Sequence, residues 1–249
     1  MEIILALTQS GAKDATAEEI RTALHLPNSQ EKMEAAIQTL QPLLKKNDLY
    51  TLQSANKIYI QNNFEIKDEF KKSATVFDSE LENIDFGQNI AAASTMNDWV
   101  ENRTNHKIKN LINGEDLGDH TRAVLINALY FKANWSTTFE TSKTTKEDFY
   151  KSGTEKVRVD TMHDTWYRNY YESQELGAKF IEIPFEGNEV VFTVVLPNER
   201  NGLSVLETQL EKIFPVPSYT WEKVRIALPK FKITSTIDLK TILQTVLHF

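Results

Sequence analysis

The stretch from Thr121 to Phe139 constrains this chain more than any other. Between Val124 and Phe131 it carries apolar side chains on both alternating sides, Leu125, Leu129 and Phe131 on one and Val124, Ile126, Ala128 and Tyr130 on the other. Successive side chains of a strand point to opposite faces, so such a ribbon is expected to be covered on both. One carboxamide, Asn127, sits in its middle. An amide taken out of water without partners costs about 1–3 kcal/mol, so neighbouring elements must supply hydrogen bonds to it. Trp135, beyond the apolar run, reads as a packed aromatic.

At 249 residues the chain is long for one compact core and short for two typical domains. No linker and no internal repeat interrupts it, which predicts a single domain over residues 1–249 with one shared core. Hydrophobic content of 41% and charged content of 25% exclude a disordered or collagenous chain. The net charge is -7, with lysines and acids interleaved, which argues against a nucleic-acid surface or a polybasic membrane patch. No apolar run approaches the length of a membrane-spanning helix. Cysteine is absent, so disulfides and thiolate metal sites are excluded while the compartment stays open.

The apolar start, Met1 to Leu7, lacks the basic leader of a secretory signal and is short for one. Ile3, Ile4 and Leu7, with Gly11 beyond them, fit the last turns of a helix. Thr16 and Glu19 form a capping box that predicts a helix start, and Leu26-Pro27 a stop. Met33, Ile37, Leu40 and Leu44 predict a surface helix over residues 30–46, with Pro42 as a kink or early end. A strand over 50–60, a helix over 64–77 and a short strand over 81–86 follow. Ala92, Met96, Trp99 and Val100 then form one helical stripe, with Asp98, Glu101 and Asn102 on the wet side, and this helix needs a sheet to sit on. Beyond Phe139 alternation predicts antiparallel strands over 149–162, 166–172 and 179–184, and a buried run over 190–197 at hairpin distance. A helix over 203–213, a strand over 224–233 and a helix starting at Asp238 complete the pattern.

No nucleophile elbow, zinc-protease helix, phosphate-cradling loop or dinucleotide fingerprint occurs. The five histidines, His25, His106, His120, His163 and His248, are scattered singly and form no pair on one helical face. His163-Asp164 is no triad fragment, because neighbours on a strand point apart. Glu115, Asp116 and Asp119 lack the alternation of a calcium loop. No catalytic residue, metal site or cofactor is therefore expected. Lys32, Lys45 and Lys46 stand amid acids and glutamines and read as a solvated face, so polyanion binding is not expected. Asn102-Arg103-Thr104 and Asn134-Trp135-Ser136 fit the glycosylation sequon; Asn102, on a wet face, is the candidate in a secreted protein, and Asn134 is disfavoured beside a packed Trp135.

The order Asn127-Ala128-Leu129-Tyr130-Phe131-Lys132, followed by Trp135 and Phe139, resembles the third strand of the main sheet in serpins, the serine protease inhibitors. Residues 96–112, from Met96-Asn97-Asp98-Trp99-Val100 to Leu111-Ile112, are similar to the helix that lies across that sheet, and Leu228-Pro229-Lys230-Phe231-Lys232-Ile233 matches a further phrase of the family. Thr16 to Ile20 and Leu24 to Pro27 are similar too, although Asp14 stands where serpins usually have glycine.

The resemblance implies an α+β fold, with helices packed around a large central sheet plus smaller antiparallel sheets. It puts Asn127 at the mid-sheet shutter and Trp135 at the breach where an inserting loop enters. The implied activity is suicide inhibition: a serine protease cleaves a bait loop and is trapped as an acyl-enzyme while the loop inserts as a new strand. No side chain of such an inhibitor performs catalysis. The resemblance further implies that residues 1–249 are truncated at both ends, lacking the family's N-terminal helix and the reactive-centre loop beyond Asp238. Alone they are expected not to inhibit and to fold poorly, because the central strand becomes an exposed apolar edge. An extracellular location follows from the family, with the cytoplasm as the alternative. Two other functions are carried beside inhibition: a non-inhibitory serpin acting as carrier, storage protein or chaperone, and an α+β hydrolase.

Overall fold

The computed structural model describes residues 2–44, 48–151, 154–214 and 218–233. They fall into two compact units, one running up to Lys132 and one from Ala133 onward.

The first unit holds α1 (Glu2–Gly11), α2 (Asp14–Ala23), α3 (Gln30–Leu40), β1 (Tyr50–Gln61), α4 (Asp68–Val76), β2 (Ser79–Ile84), α5 (Asn89–Arg103) and β3 (Ala123–Ala133). Its sheet has the order β2-β1-β3. β1 and β2 run parallel, which demands a crossover, and α4 lies in it. Two apolar clusters form on the sheet. Ile4, Leu7, Met33, Ile37, Ala74 and Phe77 gather around Ile58, while Ala92, Met96 and Val100 of α5 gather around Tyr59 and Ile126. Neighbouring residues of β1, Ile58 and Tyr59, thus belong to opposite faces.

β3 departs from the expectation of cover on both faces. Ile126 and Ala128 are each 2% exposed, whereas Leu125, Leu129 and Phe131 stand 38%, 57% and 39% exposed. Apolar composition on two faces shows what a strand can bury, and a cover has to come from another element. Here α5 covers one face, and no described element covers the other to the same depth.

Local chemistry moved several element ends. α2 begins at Asp14 after Lys13, two residues before the Thr16 capping box, and no side chain caps it. Ser29 does cap α3, accepting from the Lys32 amide. That helix gives way at Gln41-Pro42 to a short 3-10 turn, as the proline requires. Residues 64–67 stay outside α4, which keeps the expected inner side of Ala74 and Phe77. Gly11 is the last residue of α1, not a residue beyond it, and it packs closely: a Cβ there would meet Phe70 Cε2 at 2.8 Å.

The second unit is a five-stranded antiparallel sheet of β4 (Thr145–Tyr150), β5 (Lys156–Ser173), β6 (Ala178–Pro184), β7 (Val191–Pro197) and β8 (Thr220–Pro229). Two short helices, α6 (Leu203–Glu207) and α7 (Leu210–Ile213), replace the single one expected. β5 is one strand of 18 residues where the sequence suggested two. Pairing explains this: β4 takes its first part, β6 its last, and β8 the middle. β7 is less buried than its composition implied, with Val191 38% and Leu196 59% exposed. The expected helix from Asp238 lies outside the described residues.

Helix ends in the first unit use left-handed residues other than glycine. α2, α4 and α5 are followed by His25 (φ 51°), Asp78 (φ 49°) and Asn105 (φ 50°). After α2 the amides of His25 and Leu26 donate to Thr22 and Arg21, the bond pair of a Schellman end. Asn and Asp tolerate this backbone better than His does. Asp14, where glycine is usual in serpins, also has a positive φ of 50°. His25 is exposed, so His25→Gly is expected to raise stability by about 0.5–1 kcal/mol, read as a higher urea midpoint at unchanged slope.

Candidate functional site

Two carboxamides meet at the middle of the sheet. Asn127 Nδ2 donates to Asn56 Oδ1 at 2.8 Å. Further along, the Gln61 amide donates to Arg122 O at 2.9 Å, so equal steps run in opposite senses along β1 and β3 and the two strands are antiparallel. The bond uses one donor of Asn127 and one acceptor of Asn56. It leaves the Asn127 carbonyl and the Asn56 amide hydrogens for a further polar group. Asn56 is 4% exposed and Asn127 half-buried.

Asn127 thus finds in Asn56 the partner its sequence setting demands. The signal was present, because Asn56 is a lone carboxamide in an alternating run on the side of Ile58 and Ile60. Beside the amide pair, β3 ends the strand order, and its outer edge is paired with no described strand. Its exposed Leu125 and Leu129 lie on the same side as Asn127.

In the second unit Trp135 is half-buried in an aromatic nest. It bridges to Phe185, whose ring stacks on the indole at 4.6 Å and 8°, and Phe139 meets it edge-on at 6.2 Å. Phe192 closes the nest at 5.9 Å. Backbone bonds from Ser136 to Pro184 and from Glu186 to Asn134 hold the segment in place.

Asn102 is exposed on the last turn of α5. The Thr104 hydroxyl of its sequon is fully buried, donating to Val100 O at 2.8 Å and accepting from the Ile108 amide at 3.2 Å. Among the described residues no group of three or more histidines and acids could hold a metal ion, and no helix is long and apolar enough to cross a membrane.

A family model described as serpin, serine protease inhibitor, matches residues 1–246. Antichymotrypsin-2 from Bombyx mori is 37% identical over 96% of this chain and 64% of its own length. Alaserpin from Manduca sexta is 39% identical over 78% of this chain and 50% of its own. The crystal structure of Serpin48 from the insect Tenebrio molitor matches with a TM-score of 0.90 at 46% identity, covering 98% of this chain and 67% of that one. Emu ovalbumin matches with a TM-score of 0.92 at 24% identity over 98% and 69%, a likeness of fold alone. The chain spans between a half and about two thirds of the length of the curated relatives it matches.

The amide pair is expected to behave as a coupled unit. Asn56→Ala strands a half-buried donor and should cost about 1–2 kcal/mol, while the double variant with Asn127→Ala should cost less than the two single losses together. Urea unfolding of the four proteins of this cycle measures the coupling, expected at about 1 kcal/mol.

Proposed function

This chain belongs to the serpin family, and from that membership we propose that it supplies the strand-accepting sheet of an inhibitor that traps a serine protease. The family is one of protease inhibitors and not of enzymes, which sets the hydrolase reading aside. The observation that carries the proposal is the Asn127–Asn56 hydrogen bond, a single side-chain amide tie between β1 and β3 at mid-sheet, with donor and acceptor capacity left on the pair. A sheet held there by one amide bond with spare capacity is suited to taking part in the addition of a strand.

The reading gives each part a task. A cleaved bait loop arriving beside β3 gains main-chain hydrogen bonds, each worth about 0.5–1.5 kcal/mol net, and sets alternate side chains next to Leu125 and Leu129 on the same face. The Asn56–Asn127 pair acts as the shutter, presenting spare hydrogen-bonding capacity at the point the new strand must pass. Trp135 and its aromatic nest act as the breach. The work of inhibition comes from relaxation of the inhibitor, which holds the acylated protease as the strand seats. The target is a serine protease, and extracellular action follows from the same reading. Residues 1–249 on their own are proposed not to trap a protease.

The natural protein that contains this chain should form a detergent-stable complex, one to one, with at least one member of a panel of trypsin-, chymotrypsin- and elastase-like proteases. Gel electrophoresis after incubation measures it. Cleavage by every protease without a stable adduct would instead favour a non-inhibitory serpin acting as carrier, storage protein or chaperone. An adduct formed by residues 1–249 alone would overturn the part assigned to a separate bait loop.

A further inference from the structure

The face of the sheet under α5 buries a cation, and none of the motifs discussed above uses it. From this geometry we infer that Lys57, Glu80, Trp99 and Arg103 form a latch that fastens α5 to the sheet and governs how readily that sheet rearranges. The regulatory part rests on the strand-accepting reading; the latch itself does not.

The parallel register sets Lys57 of β1 directly opposite Glu80 of β2, with Glu82 opposite Tyr59. Lys57 is 7% exposed. Its Nζ lies 3.0 Å from Glu80 Oε2 and 2.7 Å from Glu82 Oε2. The ammonium also lies 4.9 Å from the centre of the Tyr59 ring and 5.5 Å from that of Trp99. Trp99 belongs to α5, and its Nε1 donates to Glu80 Oε2 at 3.2 Å. Arg103, one turn on, sits 5.7 Å over the Trp99 ring and donates from Nη2 to Glu80 Oε1.

Two carboxylates attend one buried lysine, and a single one would neutralise it. Glu82 contacts Lys57 and no side chain of α5 among its hydrogen bonds and ion pairs with described residues, whereas Glu80 takes two donors from that helix. Glu80 is therefore the carboxylate that joins the buried lysine of β1 to α5, meeting Lys57 on one side and Trp99 and Arg103 on the other. Burial works against ionisation at both groups. Even so, the Glu82 and Glu80 contacts hold the Lys57 ammonium above its ordinary pKa, and Lys57 and Arg103 hold the Glu80 carboxyl below its own. Lys57 and Glu80 are therefore both ionised across the neutral range.

On the β3 side, Asn105, just past α5, donates from Nδ2 to Tyr130 Oη at 3.2 Å, and this contact is exposed. α5 is thus fastened through polar groups chiefly to β1 and β2, while apolar packing joins it to Ile126. Glu80 is a positioning residue: it touches no substrate and acts by holding the helix that covers the inner face of β3.

Amide hydrogen exchange across residues 92–103 of the full protein reads the latch without any protease. Glu80→Gln should speed exchange in α5 about tenfold and leave α1 and α3 unchanged. Glu82→Gln should leave α5 near its original rate, because Glu80 still neutralises Lys57. Trp99→Phe, which keeps a ring and removes one donor, should reproduce part of the Glu80→Gln gain and so separates release of the helix from general misfolding. Equal acceleration by Glu80→Gln and Glu82→Gln, or none by either, would sink the latch. If α5 loosens in Glu80→Gln while the rate of protease trapping stays put, the latch stands and its regulatory role fails. If the wild type traps nothing, the exchange result still decides the latch.

Discussion

The hydrogen bond from Asn127 to Asn56 pins two strands at a point where neither can slip. Moving β3 by one residue would turn Ile126 and Ala128 away from α5 and bring Asn127 beneath the helix, where Met96 and Val100 offer no polar partner. The amide pair and the apolar stripe of α5 therefore specify the same register from opposite faces of one ribbon. Agreement of that kind between local pattern and packing is what selects one pairing among the alternatives.

Fixing the register on one face leaves the other free to do something else. The residues of β3 that α5 does not cover, Leu125, Leu129 and Phe131, keep apolar surface in contact with water. A strand edge in this condition is ordinarily hidden or blunted by charge, since it invites pairing. Among the residues of β3 only Lys132, near the end, carries a charge. The two faces of β3 thus differ in cover: Ile126 and Ala128 lie under α5, while Leu125 and Leu129 keep apolar surface exposed.

The elements that could be read from the sequence were those whose pattern is set by one face. β3 and α5 showed themselves through periods of two and of about three and a half residues, because α5 and the sheet bury each other. Asn127 was legible as a residue in need of a partner, and Asn56 carried a signal of its own as a lone carboxamide, but their pairing depends on a register that neither strand states alone. Lys57 was hidden for the same reason. A lysine in an alternating run reads as solvent-facing until the parallel pairing with β2 sets Glu80 beside it. The end of α2 was placed late, at Leu26-Pro27, because the chain turns at His25 in a left-handed conformation for which glycine is the usual signal. The uncovered face of β3 had no local sign at all, because cover belongs to whatever lies opposite.

Asn56 and Lys57 are adjacent on β1 and so serve opposite faces of the sheet. One ties β1 to β3 through an amide bond, and the other ties β1 to β2 and α5 through buried charge. Sequential polar residues in a strand interior are costly without partners, and here each has its partner on a different neighbour. The consequence is mechanical: β2, β1, β3 and α5 are cross-linked through a single dipeptide. On the strand-accepting reading, a strand that enters at the outer edge of β3 meets a cross-linked body. Parting β1 from β3 would break the buried amide bond, whereas shifting the body as a whole breaks neither tie. The path of least cost is to move the three strands together with their helix, and the latch at Glu80 decides whether the helix follows.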